Sequence, residues 1–250
     1  MKKNKEDLVL FVFYKLKVKC SSPPNKVCLD LKKEARGAFS MQKYIVFDFD
    51  GTLVDSQNIF VPIYNQLAEK HGYETVREED IEPLRKLSIP ERCKQLRVPL
   101  YKLPILALEF YKLYQPAIKD LVLFNGMKDV LDELHRNGYG IAVISSNSEE
   151  HIRAFLHNNQ IENIQEVFCS KNLFGKDKII KKFLKEKQLT EADMLYVGDE
   201  QRDIVACKKV GVNVIWVEWG YDVLETVKED SPDYMVNTPN EILHIVQSVH

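Results

Sequence analysis

The sequence lacks the cysteine and histidine patterns that mark many metal-binding and disulfide-rich proteins. Its five cysteines are scattered through 250 residues and form no CxxC pair. This argues against a cysteine-based zinc site and fits a reducing, cytoplasmic compartment. The six histidines form no HExxH or HxH pattern, which argues against a metal site built on histidine.

A long apolar run and a large net charge are also missing. The run "LVLFVFY" at residues 8–14 is far too short to span a membrane, and lysines follow where a signal peptide would have small residues. The formal net charge of -2 argues against a protein that binds nucleic acid through its overall charge. We therefore expect neither a membrane nor a nucleic acid as partner.

The charge is nevertheless uneven along the chain. Residues 1–40 are basic and contain the linker-like stretches "SSPPNK" and "KKEARG", whereas residues 41–250 are acidic. We interpret residues 1–40 as a poorly ordered N-terminal extension, with a targeting or membrane-surface role as the alternative. Met41 is an alternative start, so the sequence leaves open whether residues 1–40 belong to the natural protein.

From Tyr44 onward, apolar runs of strand length alternate with amphipathic helical patterns. The predicted strands are "YIVFDFD", "GIAVISS", "EVFCS", "MLYVGD" and "VNVIWV", and the predicted helices between them include "MKDVLDELHRNG" and "KIIKKFLKEKQL". This alternation predicts an α/β fold, a Rossmann-like parallel sheet with helices on both faces. Ligands of such sheets bind at the carboxyl ends of the strands.

One interval, residues 57–122, contains helical patterns and no convincing strand. We interpret it as an α-helical cap inserted after the first strand. The catalytic core would then comprise residues 41–56 and 123–250.

The first strand ends in two carboxylates, Asp48 and Asp50. Because side chains alternate along a strand, both should point the same way, opposite Phe47 and Phe49. Gly51 then permits a sharp turn and a close backbone approach to a ligand. A strand that simply ends in polar turn residues is the alternative.

Three further polar groups follow the same logic. Ser146 and Asn147 follow a predicted strand, and Lys176 follows Gly175 at the start of a helix. Asp199 ends another strand, with Asp203 one helical turn later. Alone, each also fits an ordinary helix cap, a solvated basic face, or acidic residues at a helix N-terminus.

Taken together, these groups predict one site at the edge of the sheet. Clustered carboxylates repel one another unless a cation lies between them. Hard oxygen ligands that form an incomplete protein cage indicate Mg²⁺, with water and a substrate phosphate completing its coordination.

The segment "DFDGTLVDS", with Ser146, Lys176 and "GDEQRD", resembles the four motifs of the haloacid dehalogenase-like hydrolase superfamily, in its phosphoglycolate phosphatase-like branch. The resemblance implies a phosphatase with Asp48 as nucleophile and Asp50 as general acid/base. It implies Mg²⁺ on Asp48, the backbone carbonyl of Asp50 and Asp199, with Asp203 in the outer shell. The substrate phosphate would contact Gly51, Ser146, Asn147 and Lys176.

The implied substrate is a small phosphorylated metabolite. Alternatives are a sugar-phosphate mutase of the same superfamily and a non-catalytic binding domain, although the complete acid set argues against the latter. Lys178 rivals Lys176, which we prefer because its 23-residue distance to Asp199 is nearer the usual spacing. Cap cations could contact the substrate or lie on solvated faces; they are Arg85, Lys86, Arg92, Lys94 and Arg97. A monomer and a homodimer both remain open.

Overall fold

The computed structural model describes residues 43–85, 87, 89–169 and 175–249. The predicted extension, residues 1–40, lies outside the described residues. Among the described residues, no helix has the length and apolar character needed to cross a membrane.

The core is a six-stranded parallel sheet. Its strands are β1 (Tyr44–Phe47), β4 (Gly140–Ser145), β5 (Glu166–Cys169), β6 (Met194–Gly198), β7 (Asn213–Val217) and β8 (Tyr234–Val236). Their order across the sheet is β5-β4-β1-β6-β7-β8. The predicted α/β fold is confirmed. The sequence reading missed the edge strand β8 and a two-residue antiparallel pair, β2 (Val54–Asp55) and β3 (Val122–Leu123).

Strand β1 occupies the centre of the sheet, between β4 and β6. Its apolar side chains alternate between two cores: Ile45 and Phe47 pack on one face, Tyr44 and Val46 on the other. Burial on both faces explains why the segment is a continuous apolar run.

Helices cover both faces of the sheet. They are α5 (Met127–Arg136), α6 (Glu149–Asn158), α7 (Lys176–Lys187), α8 (Gln201–Val210), α9 (Leu224–Val227) and α10 (Pro239–Val249). In α5, the residues Met127, Val130, Leu131 and Leu134 are buried, which is the spacing of one helical face.

The interval between β2 and β3 is helical. It holds α1 (Gln57–His71), α2 (Glu78–Arg85), α3 (Ile89–Gln95) and α4 (Leu103–Ala117), followed by a 3₁₀ turn at Ile118–Asp120. We call this segment the cap. The pair β2–β3 joins its two ends to the core, and cap residues such as Phe60 and Phe110 are continuous with the apolar core on one face of the sheet.

Candidate active site

Three buried carboxylates meet at the carboxyl edge of the sheet. Asp48 follows β1, Asp199 follows the adjacent strand β6, and Asp203 lies in the first turn of α8. One oxygen atom from each lies within 4.8 Å of the others. All three side chains are buried, so their mutual repulsion is weakly screened by water.

The electrostatics of this cluster favour a bound cation. Burial raises the pKa of Asp199 well above its usual value, and the negative charges of Glu200, Asp48 and Asp203 raise it further. Burial likewise raises the pKa of Asp203 to about 6, although Lys176 opposes the shift. A set of carboxylate oxygens without soft ligands fits a hard divalent cation such as Mg²⁺.

Lys176 supplies positive charge beside two of these carboxylates. Its Nζ lies 2.8 Å from Asp48 Oδ2 and donates a hydrogen bond to Asp203 Oδ1. Burial would lower the pKa of the ammonium, but Asp203 and Asp48 outweigh it and raise that pKa above its usual value. Lys178 is exposed, so the structure brings Lys176 to this site and leaves Lys178 on the surface.

Asp199 is fixed by hydrogen bonds from two loops. The Thr52 hydroxyl donates to Oδ1 and the backbone N–H of Tyr221 donates to Oδ2, each at 2.7 Å. The indole Nε1 of Trp216 donates to the backbone carbonyl of Asp199 at 2.8 Å, and that of Trp219 donates to the carbonyl of Thr52 at 3.2 Å. These contacts hold the carboxylate beside Asp48 although both are negatively charged.

Glu200 has a structural role that the sequence reading did not foresee. Its side chain caps the N-terminus of α8, and Asp203 reciprocates by accepting from the Glu200 backbone N–H. Arg202 also donates to the Glu200 carboxylate. Together these contacts orient α8 and thereby Asp203.

Asp50 contacts different elements from Asp48. The strand β1 ends at Phe47, so the expectation of a strand that continues through Asp50 is wrong; only an isolated bridge joins Asp50 to Val54. Asp50 accepts hydrogen bonds from Tyr114 of the cap at Oδ1 and from Asn147 of the core at Oδ2. The chain turns tightly here because Leu53 and Val54 both donate to the carbonyl of Phe49.

Gly51 forms this turn with a φ of 78°. A Cβ atom at this position would lie 2.3 Å from the ring of Tyr221 and 2.4 Å from Asp199 Oδ2. Its N–H donates to the carbonyl of Val54 at 3.0 Å, so the predicted contact with a phosphate would compete with that bond.

The strand β4 delivers the predicted serine and asparagine. Ser146 is half-buried, and Asn147 is buried next to it. The Asn147 backbone N–H donates to the Ser145 hydroxyl at 3.1 Å, while its side chain faces Asp50 rather than the three clustered carboxylates.

The cap cations proposed as anion contacts have diverse surroundings. Arg92 is buried and its Nε donates to the carbonyl of Leu87 at 2.9 Å. Arg97 pairs with Glu74 at 3.2 Å beside a surface pocket of about 440 Å³, and Lys94 is exposed. Lys86 and the side chain of Arg85 lie outside the described part of the chain.

Several residues of the site were not predicted from the sequence. Thr52 belongs to the "DGT" motif, and Tyr221 follows the carboxyl end of β7, so both positions carried a signal. Tyr114 and Gln115 lie at the end of a cap helix and are brought in only by tertiary packing.

Comparisons with known proteins agree with this fold. The family model for haloacid dehalogenase-like hydrolases matches residues 45–217. A phosphoglycolate phosphatase from Synechococcus elongatus is 30% identical over 203 residues, which cover 81% of this chain and 96% of that protein. One from Vibrio parahaemolyticus is 26% identical over 224 residues, with 82% and 96% covered.

Solved structures share the fold. A haloacid dehalogenase-like family hydrolase from Streptococcus pneumoniae superimposes with a TM-score of 0.69 at 20% sequence identity, and the match covers 83% of this chain and 100% of that chain. At this identity the likeness shows the fold alone.

Proposed function

The chain belongs to the haloacid dehalogenase-like hydrolase family, and we propose that it is a Mg²⁺-dependent phosphatase of small phosphomonoesters such as phosphoglycolate or a sugar phosphate. The observation that carries the proposal is the convergence of Asp48, Asp199 and Asp203 at the carboxyl edge of the sheet, with Lys176 bridging two of them. Relatives named phosphoglycolate phosphatase make that ester the first substrate to test.

In the proposed reaction, a carboxylate oxygen of Asp48 attacks the phosphorus atom. A P–O bond to Asp48 forms as the bond to the leaving alcohol breaks, which gives an aspartyl-phosphate. Asp50 donates its proton to the leaving oxygen, and then takes a proton from the water that hydrolyses the aspartyl-phosphate. Inorganic phosphate leaves, and both carboxyl groups return to their initial states.

The same acidic cluster would hold the metal. Its ligands would be Asp48, Asp199 and the backbone carbonyl of Asp50, with Asp203 orienting Lys176 and the outer shell. When bound, Mg²⁺ supplies positive charge that offsets the repulsion between the Asp48 carboxylate and the negatively charged phosphate.

The remaining groups would bind the transferred phosphoryl group. Lys176 supplies a cation, and Ser146, Asn147 and the Gly51 backbone are the neighbouring donors from the loops after β1 and β4. Donors fixed before the substrate arrives stabilise charge that gathers on the phosphoryl oxygens in the transition state. Lys176 is supported in this role by its burial beside Asp48.

A panel of phosphomonoesters tests the proposal. We expect release of inorganic phosphate with Mg²⁺ and loss of turnover in excess chelator. Incubation with a hexose phosphate separates the alternative activity, because an isomerised product without free phosphate would indicate a mutase. Absence of hydrolysis across the panel would contradict the proposal.

Two variants then separate the roles of the carboxylates. Asp48→Asn should form no phosphoenzyme, because the attacking oxygen is gone. Asp50→Asn should still phosphorylate Asp48 slowly with p-nitrophenyl phosphate, and overall turnover should fall by about 10²–10⁴-fold. Acid-quenched enzyme is analysed for a phosphoryl group on Asp48. Phosphoenzyme in Asp48→Asn, or wild-type turnover in Asp50→Asn, would contradict these assignments.

A further inference from the structure

A residue of the cap contacts the proposed proton donor directly. Tyr114 is fully buried near the end of α4, and its hydroxyl donates a hydrogen bond to Asp50 Oδ1. The other oxygen of Asp50 accepts from the side chain of Asn147. The two donors come from opposite sides of the boundary between cap and core, and together they fix the plane of the carboxyl group.

The next residue of the same helix reinforces this contact. Gln115 Nε2 donates to Asn147 Oδ1 at 3.3 Å, and the backbone N–H of Ser148 donates to Gln115 Oε1 at 3.2 Å. Gln115 is buried. Of these two consecutive cap residues, Tyr114 therefore contacts Asp50 directly, and Gln115 contacts Asn147, the core residue that also donates to Asp50.

Aromatic packing leaves the hydroxyl of Tyr114 little freedom. The ring centroid of Tyr114 lies 4.7 Å from that of Phe60 and 6.0 Å from that of Phe110, both on cap helices. The ring of Phe60 in turn lies 6.0 Å from that of Tyr221 in the core. A ring held on several sides places its hydroxyl group without a further entropic cost.

We propose that Tyr114 is a positioning residue that orients Asp50 for proton transfer to the leaving group when the cap is closed on the core. The inference rests on the proposed phosphatase function. A carboxyl group offers about four lone-pair sites, so each Asp50 oxygen can accept its present hydrogen bond and still carry the transferred proton. Without the Tyr114 hydroxyl, rotation of the carboxyl group is broad, because a terminal sp³–sp² torsion has weak preferences.

The substitution Tyr114→Phe tests this role, since it removes the hydroxyl and keeps the packed ring and the fold. The effect should depend on how much protonation the leaving group needs. With phenyl phosphate, a poor leaving group, we expect kcat/KM to fall by about tenfold or more, within the range of general acid catalysis. With p-nitrophenyl phosphate, a good leaving group, we expect a loss of less than about threefold.

Tyr64→Phe is the matched control. Tyr64 is also buried in the cap, and its hydroxyl donates to the backbone carbonyl of Glu74 at 3.0 Å. Loss of the Tyr64 hydroxyl should change kcat/KM by the same factor for phenyl phosphate and for p-nitrophenyl phosphate. An equal effect of Tyr114→Phe on both substrates, or no effect on either, would overturn the proposal.

A double-mutant cycle checks that Tyr114 acts through Asp50. The slow turnover of p-nitrophenyl phosphate and of phenyl phosphate is compared in an Asp50→Asn background. There, Tyr114→Phe should cause no further loss of turnover and no further dependence on the leaving group. The same loss in both backgrounds would overturn the inference. If the wild type hydrolyses neither these two esters nor any other phosphomonoester of the panel, the proposed function fails and this inference fails with it, whereas the outcomes above leave the proposed function intact.

Discussion

At the scale of single residues, the buried ammonium of Lys176 balances the acidic cluster. It contacts Asp48 and Asp203 and lies 5.5 Å from the centre of the Tyr196 ring. A buried ion pair that loses one partner leaves an uncompensated charge, which is far more costly than the loss of an exposed one.

We therefore expect Lys176→Ala to be much more damaging than Lys178→Ala. Lys176→Ala should lower the free energy of unfolding by about 3–5 kcal/mol, and phosphatase turnover by about 10²–10³-fold. Lys178→Ala, on an exposed side chain, should change stability by less than about 0.5 kcal/mol. Denaturant unfolding and steady-state assays measure both quantities. Similar losses in the two variants would show that the wrong lysine was chosen.

The predictability of the site also differs residue by residue. Asp48, Asp199 and Lys176 were foreseen because they follow strands or begin a helix at one edge of a parallel sheet. Tyr114 was not foreseen, since nothing in the local sequence "YKLYQP" reveals that α4 returns its C-terminal turn to Asp50. Contacts between segments distant in the chain are fixed by packing and leave no periodic signal.

At the scale of an element, the turn after β1 depends on a glycine. Gly51 adopts a left-handed conformation and lies against Tyr221 and Asp199. Gly72, at the end of α1, is also left-handed, with a φ of 71°, but a Cβ there would meet nothing within 4 Å. The two positions share a backbone requirement and differ in crowding.

Alanine substitutions at Gly51 and Gly72 separate the cost of a left-handed backbone from the cost of a steric clash. Gly72→Ala should cost about 1–2 kcal/mol, the penalty for a left-handed residue with a side chain. Gly51→Ala should lower the free energy of unfolding by more than this, because the backbone or the Tyr221 ring must also move. It should also abolish most of the turnover, because the new methyl group displaces Asp199. Thermal unfolding and phosphatase assays compare the variants. Near-wild-type activity in Gly51→Ala would mean that the turn tolerates a side chain.

The element boundaries show where sequence reasoning succeeds. The five predicted strands all exist, because each is an apolar run bounded by polar or turn residues. Strand β8 was missed because Tyr234–Val236 is a three-residue edge strand with little apolar burial. The end of β1 was misplaced by extending the alternation through Phe49 and Asp50, where a hydrogen-bonded turn replaces the ladder.

At the scale of the whole molecule, the central strand of the described sheet begins after the predicted N-terminal extension, residues 1–40. Strand β1 begins at Tyr44 and pairs with both neighbours. We expect deletion of residues 1–40 to leave a folded and active enzyme. Circular dichroism and the phosphatase assay compare the truncated and full chains, and an insoluble or inactive truncated protein would contradict the expectation.

The acidic cluster should also make stability depend on pH and Mg²⁺ together. Burial and neighbouring charges raise the pKa values of Asp199 and Asp203 in the folded protein. Each group therefore contributes stability below its unfolded pKa, and loses that contribution as pH rises through its folded pKa, about 6 for Asp203. A cation bound at the cluster would offset the negative charge that deprotonation creates.

We expect Mg²⁺ to raise the unfolding temperature more at about pH 7.5 than at about pH 5, because protons compete with the metal at the lower pH. At a free concentration 100 times its dissociation constant, stabilisation should reach about 2.7 kcal/mol. Thermal unfolding is measured with Mg²⁺ and with chelator at each pH, and the difference between the two unfolding temperatures is compared. The pH dependence that comes from carboxylates outside the site is the same in both measurements and cancels in this difference. An equal or larger increment at the lower pH would contradict the predicted metal site.

The two tryptophans of the chain are suited to serve as fluorescence probes of the site, because their indole groups contact Asp199 and Thr52. Trp216 and Trp219 are the only tryptophans in the sequence, and each donates its Nε1–H to a backbone carbonyl of a residue at the acidic cluster. Indole emission, excited at the long-wavelength edge where tyrosine does not absorb, therefore originates beside this cluster. A titration with Mg²⁺ or inorganic phosphate can accordingly be followed in the unlabelled protein, with no background emission from tryptophans in the cap.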